Sequence, residues 1–262
     1  MKINSRTREI IEKQFYLDCN LAEAEEIKAG EIYLSKSKKL PGARIVSKTD
    51  LFFRAIMYGG KAYLMVDESI YDGCKEVFKD VEADWFCKFP NLRLIDNILQ
   101  EYGYEIADTH IYYLPDETFP HVEENYPVVW YDEKAIELRR EWNTFSNALC
   151  YSETQPDIMA VVAINDGNSL VESEMGMAGC SLDGKYTRQI GVDVKPEFRG
   201  KGLATYLTSL LKQKIMKQAE ENNEEVIPFY GTSESHSLSR SVAIQSGFLP
   251  AWCEIYVKKQ DN

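Results

Sequence analysis

A chain of 262 residues with 44% hydrophobic side chains is long enough for one large or two small domains, and apolar enough to pack a core. Its formal net charge of −12, from 42 acidic against 30 basic residues, argues against a general binder of nucleic acid or of membrane surfaces. The same charge is compatible with a cationic substrate and, equally, with plain solubility.

The first elements are helical. Residues 5–18 read as an amphipathic helix with Ile10, Ile11, Phe15 and Leu17 on or near one face, and Leu21 to Lys28 as a second, short one. Leu40-Pro41-Gly42-Ala43 is a turn. Leu51 to Tyr58 and Ala62 to Val66 read as strands about the Gly59-Gly60 turn, followed by a helix from Glu68 to Asp80 and a strand at Trp85-Phe86-Cys87. Asn91 to Tyr102 forms a helix with Gly103 as its C-cap, and Ile106 to Leu114 a strand that Pro115 closes. The polar, proline-punctuated stretch that follows predicts a boundary. The chain divides into an N-terminal α/β domain (1–118), a linker (119–129) and a second domain (130–262).

In the second domain the pattern predicts a strong helix from Glu133 to Ala148 carrying Ile136, Leu138, Trp142 and Phe145. Strands follow at Ile158 to Ile164 and Met175 to Cys180, with turns at Asp166-Gly167-Asn168 and Leu182 to Lys185. The segment Ile190 to Val194 is a strand that Pro196 stops, and Leu203, Leu207, Leu210 and Leu211 then recur at helical spacing up to Asn222-Asn223. A strand at Val226 to Gly231, a short helix from Ser237 to Ser246 and a final strand at Trp252 to Val257 complete the chain. Helix, glycine and strand thus occur in the same order at Gly103 and at Gly247. The first half is either a degenerate copy of the second or an ordinary α/β domain.

Between the strand at Ile190 and its helix, Gly200 and Gly202 sit in a basic turn with Arg199 and Lys201. Strand, glycine turn and helix in that order make an anion site, because the first-turn N–H groups are free and the helix dipole favours negative charge. There is no G-x-x-x-x-G-K-[ST], and the G-x-G lacks the third glycine of a dinucleotide fingerprint. Six scattered cysteines without a C-x-x-C pair, and only three histidines, give no metal-ligand spacing and read as reduced thiols of a cytoplasmic protein. The charged start MKINSRTREIIEKQ has no apolar signal-peptide core, and no apolar run approaches a membrane span.

Arg199-x-x-Gly202-x-Ala204 resembles the [RQ]-x-x-G-x-[GA] pyrophosphate loop of the GNAT superfamily of acetyl-CoA-dependent N-acyltransferases. The likeness extends through Val194-Lys195-Pro196-Glu197-Phe198 on one side. On the other, His236-x-x-Ser239, Val242-Ala243 and Ser246-Gly247-Phe248 resemble the family's later N-x-x-S…V-A-x-x-x-G-[FY] segment. It covers roughly residues 130–262. The resemblance implies a GNAT fold, α/β (α+β), with a mixed, mostly antiparallel sheet flanked by helices and preceded by the smaller N-terminal domain. It implies one acetyl-CoA site and no metal. Val192 and Val194 would offer backbone to the pantetheine arm while their side chains pack in the core. Arg199, Gly200, Lys201, Gly202, Leu203, Ala204 and Thr205 would cradle the pyrophosphate.

His236 stands where relatives often carry a cofactor-contacting Asn, and is as well placed to cap a helix. Ser239 is a hydroxyl for the cofactor or for its own helix. The general-acid Tyr of many relatives falls here on Ala243, which puts the usual protonation of the thiolate in doubt; Tyr256 and Tyr230 are substitutes. Gln189 occupies the place of a basic Glu and cannot accept a proton, so Glu174 is preferred to Glu172 as the base. The implied reaction is direct transfer of an acetyl group from acetyl-CoA to a primary amine, the acceptor being a small molecule rather than nucleic acid or membrane. The alternative is an acyl-CoA-binding sensor or regulatory domain that kept the loop and lost catalysis, an alternative that the Ala243 departure keeps open.

Overall fold

The computed structural model describes residues 2–21, 27–45, 47–123, 125–165 and 173–260. In chain order the elements are helix α1 (Ser5–Asp18), strands β1 (Ile32–Lys36), β2 (Phe53–Tyr58) and β3 (Lys61–Val66), helices α2 (Glu68–Val77) and α3 (Phe89–Gln100), and strand β4 (Tyr104–Pro115). Then come β5 (Val128–Asp132), α4 (Glu133–Leu138), β6 (Asp157–Ile164), β7 (Glu174–Ser181), β8 (Thr187–Val194), α5 (Leu203–Glu221), β9 (Ile227–Ser233), α6 (Ser237–Gln245) and β10 (Phe248–Lys259). They form a mixed, mostly antiparallel sheet architecture flanked by helices. Among the described residues no helix is long and apolar enough to cross a membrane, and no cluster of His, Cys, Asp and Glu is placed to hold a metal.

The chain forms two compact units. One comprises residues 1–11, 113–231 and 236–250, the other 12–112, 232–235 and 251–262. The change of unit at 112–113 precedes the expected 119–129 linker, which lies inside the first unit. The physical reason is that α1, β4, β9 and β10 each contribute residues to both units, whereas composition marks only the polar stretch after Pro115. Residues 22–26 of the predicted helix at Leu21 to Lys28, the turn at Asp166 to Asn168 and Glu172 lie outside the described residues.

In the unit of residues 12–112 the strand order is β1-β3-β2-β10-β4, with β1 parallel to β3 and β2 antiparallel to both β3 and β10. Phe53, Ala55, Leu64 and Val66 pack with Ile70 and Cys74 of α2 and with Ile95 and Leu99 of α3. Trp85-Phe86-Cys87 is no strand: residues 83–85 make a 3-10 turn, which drops Phe86 into that core and leaves Trp85 exposed. Beside this core sit four buried charges. Arg44 Nε donates to Asp18 at 2.6 Å and Arg44 Nη2 to Glu254 at 2.7 Å. Arg54 reaches Glu254 at 3.3 Å and Asp18 at 3.6 Å. Burial raises the Glu254 pKa, but Arg44 and Arg54 more than reverse this and hold the carboxyl below its ordinary range.

In the other unit the order is β9-β8-β7-β6-β5, antiparallel throughout except for the parallel pair β8·β9. Helix α5 lies across β6, β7 and β8 and buries Leu203, Leu207, Leu210 and Leu211, the predicted stripe, together with Ile215. Another layer of this unit joins Ala160, Val162 and Met177 to Ile136, Phe145, Ala148 and Leu149. The helix expected over Glu133–Ala148 stops at Leu138, and Leu138 itself is 81% exposed. Helical spacing was present, but Phe145, Ala148 and Leu149 are drawn onto the strands by contacts that a continuing helix could not make.

Lys212, on α5, is buried and donates to the carbonyls of Ser246 and Gly247 at 2.7 and 3.0 Å, closing the C-terminus of α6. Burial lowers its pKa from 10.5 to about 8, against a smaller raising effect of Asp116. Between about pH 8 and 10.5 the unfolded chain therefore binds more protons here than the folded one, so stability should rise with pH across this window, by of order 3 kcal/mol. Urea unfolding at both pH values should show the rise in the wild type and its loss in Lys212→Met. In the other unit, Asp18→Asn strips a partner from two buried guanidinium groups. Urea unfolding should report a loss of about 3–5 kcal/mol; a neutral result would mean that the charges are hydrated.

Candidate functional site

The site is built on β8. Its register with β7 pairs Gly176 with Val194, Ala178 with Val192 and Cys180 with Ile190, and Lys195 N–H donates to Met175 O at 3.0 Å. In an antiparallel ladder only alternate residues bond across, so this bond turns the N–H and C=O of Ile190, Val192 and Val194 away from β7. That side of β8 meets β9, in register from Thr187↔Ile227 to Ile190↔Tyr230 and no further. Val192 and Val194 therefore present backbone groups along an open edge. Their side chains are half-buried rather than core, which corrects the expectation from apolarity alone: where β9 parts company, there is no second neighbour to cover them.

The open edge leads into the loop. Pro196–Phe198 form a 3-10 turn, Gly200 and Gly202 both adopt positive φ (73° and 78°), and α5 begins at Leu203 with no side-chain cap. Only glycine takes these left-handed angles without strain, and a Cβ at either position would meet nothing within 4 Å. The N–H groups of residues 200–205 find no acceptor among the described residues. Leu203 is buried, Ala204 and Thr205 are half-buried, and Arg199 to Gly202 are exposed. The donor set and the free space fit a diphosphate. Arg199, however, donates from Nε to the Val194 carbonyl at 2.9 Å, so part of its role is to finish the strand. Lys201 remains exposed, its Nζ 5.6 Å from the Phe198 ring centre.

One face of β7 and β8 carries a feature that the motif reading missed. Gly179 and Gly191 are in register, flanked by the in-register pair Met177 and Asp193. A Cβ on Gly191 would lie 1.8 Å from Asn147 O, and one on Gly179 2.2 Å from Ala148 O. The backbone of 147–148 thus lies flat on a glycine strip. Asp193 fastens it there, accepting from Asn147 N–H (2.6 Å), Asn147 Nδ2 (2.5 Å) and Ala148 N–H (3.1 Å). Glycine inside a strand is itself a signal of close backbone approach and could have been read from the sequence.

The predicted acid, base and arm-binding residues fall in varied places. Glu174 is buried, and both of its oxygens accept from Arg139, at 2.9 and 3.0 Å. A carboxylate so engaged is not free to take a proton from a substrate, so the structure gives it the duty of anchoring Arg139. Tyr256 belongs to the unit of residues 12–112, where its hydroxyl bonds that of Tyr112 and burial pushes its pKa to about 12. His236 is exposed and begins α6 without a side-chain cap bond. Ser239 bonds neither its helix backbone nor open space but the Tyr230 hydroxyl, at 2.9 Å. Ala243 is fully buried. A cleft of about 600 Å³ runs along α5 from Leu210 to Glu220, and none of the loop residues lines it.

The open strand edge, the glycine turn and the uncapped helix all lie within residues 110–233, which match the acetyltransferase (GNAT) family. Residues 110–233, just under half of the chain, carry this match to a GNAT acetyltransferase domain, a family whose class of chemistry is acyl transfer. The match begins before the expected residue 130 and ends before His236, so the second motif of the sequence lies beyond it. Similar solved structures include an acetyltransferase from Novosphingobium aromaticivorans DSM 12444, 16% identical over 61% of this chain and 69% of that one (TM-score 0.40). Others are a GNAT acetyltransferase from Colwellia psychrerythraea, 12% identical over 59% of this chain and 57% of that one (TM-score 0.40), and a tandem GNAT protein from the clavulanic acid biosynthesis pathway, 15% identical over 63% and 58% (TM-score 0.41). No curated protein matches the chain.

The glycine strip yields a direct test. Gly191→Ala forces the Asn147 backbone off β8 or strains the strand, at a cost of about 1–3 kcal/mol. Urea unfolding should show that loss, and limited proteolysis should cut the variant near Asn147. A variant as stable and as protease-resistant as the wild type would show that the segment is not seated.

Proposed function

We propose that this protein transfers an acetyl group from acetyl-CoA directly to the primary amine of a small-molecule acceptor, within a ternary complex. The observation that carries the reading is the strand edge that β9 leaves open at Val192 and at the Val194 N–H, running into a helix N-terminus that no side chain caps. Acetyl-CoA would supply a thioester-activated acyl group, with a thiolate as leaving group. The chain's part is to bind and orient. The edge of β8 offers strand-like hydrogen bonds to an amide-bearing arm, and residues 200–205 offer N–H donors to a diphosphate. Lys201 adds charge beside them.

Proton handling falls to a phenol. Tyr230 is the last β9 residue in register with β8, and burial raises its pKa, with the Ser239 hydroxyl partly offsetting this. Its Oη therefore keeps its proton near neutrality and is the group in this unit suited to donate one where the strands part. Glu174 keeps its place in the proposal only as the partner of Arg139. The alternative, an acyl-CoA sensor without turnover, draws on the same two facts: Ala243 replaces a phenol and Glu174 is engaged.

Gly202→Glu separates these readings from an inert turn. It adds bulk and negative charge at the loop, while the buried leucines of α5 are untouched. Loss of a few charge-assisted hydrogen bonds, at roughly 1.5–3 kcal/mol each, should weaken acetyl-CoA at least about a hundredfold by calorimetry. Free-thiol release with a panel of amines should fall in parallel. Binding without turnover across the panel favours the sensor. No binding of acetyl-CoA by the wild type would sink both.

A further inference from the structure

In the unit of residues 12–112, 232–235 and 251–262, two cysteines distant in sequence face one another. The Sγ atoms of Cys87 and Cys253 are 3.9 Å apart, although 166 positions separate them in the chain. Each is held by its own surroundings. Cys253 lies within β10, in register with Met57 of β2. Cys87 follows Phe86, which is fully buried with its ring 5.1 Å from that of Phe78. Both backbones are therefore placed before any bond forms. To reach the ~2.05 Å of a disulfide the sulfurs must close by only about 2 Å, the scale of a side-chain rotation.

We propose that Cys87 and Cys253 are a peroxide-reactive site, Cys87 as the thiol that is oxidised and Cys253 as the thiol that resolves it. The two differ in the way this requires. Cys87 is exposed, and Cys253 is partly covered. The thiol–thiol hydrogen bond with Cys253 pulls the Cys87 thiol below its ordinary range against the opposing effect of burial, while the same contact, with burial, pushes Cys253 up. The other four cysteines are poor competitors. Cys19, Cys74 and Cys180 are buried with raised pKa values, and burial also raises the exposed Cys150. Thiolate character and exposure together decide which cysteine a hydroperoxide attacks.

The chemistry balances with hydrogen peroxide as oxidant. The Cys87 thiolate attacks one peroxide oxygen, the O–O bond breaks, and the departing hydroxide takes a proton to become water. Cys87 is then a sulfenic acid. The Cys253 sulfur attacks it, forming the S–S bond as the hydroxyl leaves with the Cys253 proton as a second water. Two thiols are oxidised to one disulfide and one peroxide is reduced to two waters.

The test uses the reduced full-length chain with equimolar hydrogen peroxide, followed by alkylation of the remaining thiols, digestion and mass spectrometry. The expected product is a Cys87 peptide joined to a Cys253 peptide, with the loss of two titratable thiols and full recovery on reduction. In Cys253→Ser the same treatment with dimedone should label Cys87, and in Cys87→Ser the Cys253 thiol should stay reduced. Cys150→Ser should form the link as readily as the wild type. Oxidation that starts at Cys150, dimedone labelling of Cys87 in the wild type without any link to Cys253, or survival of both thiols would each overturn the proposal.

Discussion

Beyond Ile190, β8 has a neighbouring strand on one side only, and the arrangement around it depends on that edge staying open. An interior strand satisfies its N–H and C=O groups on both flanks, and leaving such groups buried without partners would cost of order 1–3 kcal/mol each. Here Val192, Asp193 and Val194 are half-buried, so water can serve the groups that β9 abandons. Such an edge accepts an extended ligand with amide groups at little cost, because the bonds exchanged are of the same kind. The other contacts of β8 are filled. β7 takes one flank, and the glycine strip lets the backbone of 147–148 lie against one face, with Asp193 bonding it down. With these sides filled, the open edge is the side left for the proposed ligand.

Paired burial explains why the acidic chain supplies so few free carboxylates in its interior. Glu174 and Asp193 stand on adjacent strands, and both are spent on the segment between α4 and β6. The first binds Arg139 at the start of that segment, the second Asn147 and Ala148 near its end. Arg139 is also ringed by Tyr131, Trp142 and Phe145, with its guanidinium carbon 4.8 to 5.9 Å from their centres. A buried guanidinium with such neighbours needs its carboxylate, since an unpaired charge there would be strongly destabilising. Stability therefore claims Glu174, the carboxylate that a residue-by-residue reading nominated as the base.

How much was legible follows the range of the interactions. The strand-turn-helix at Ile190 to Leu211 was readable because every part of it is local: Pro196 cannot extend a ladder, glycines alone take φ near +75°, and leucines at helical spacing mark the buried side of α5. The helix expected over Glu133–Ala148 and the strand at Trp85–Cys87 were misread because tertiary contacts outvote local pattern there, Asp193 in one case and the pocket for Phe86 in the other. The strands β1 and β5 carried too little contrast with their surroundings to be noticed. The Glu174–Arg139 pair joins positions 35 apart, and nothing in composition or spacing reveals which carboxylate will find which guanidinium.

The chain also shows why one strand-to-helix junction offers an anion site and another does not. At β3 to α2 the helix opens on Asp67, whose carboxylate accepts from Ser69 N–H at 2.9 Å, with Glu68 next to it; those hydrogen bonds hold the Asp67 carboxyl below its ordinary range. The positive end of that helix is already occupied by the protein's own anions. Helices α1 and α4 are likewise closed by Asn4 and Asp132. At β8 to α5 the cap position is Gly202, the first turn holds no acidic residue, and the neighbouring side chains are Arg199 and Lys201. An external anion must compete with a built-in carboxylate at the first junction and with water alone at the second. The echo of helix, glycine and strand at Gly103 and Gly247, with φ of 76° and 75°, repeats a local shape at two helix-to-strand junctions, where it is the carbonyl end of the helix that is closed.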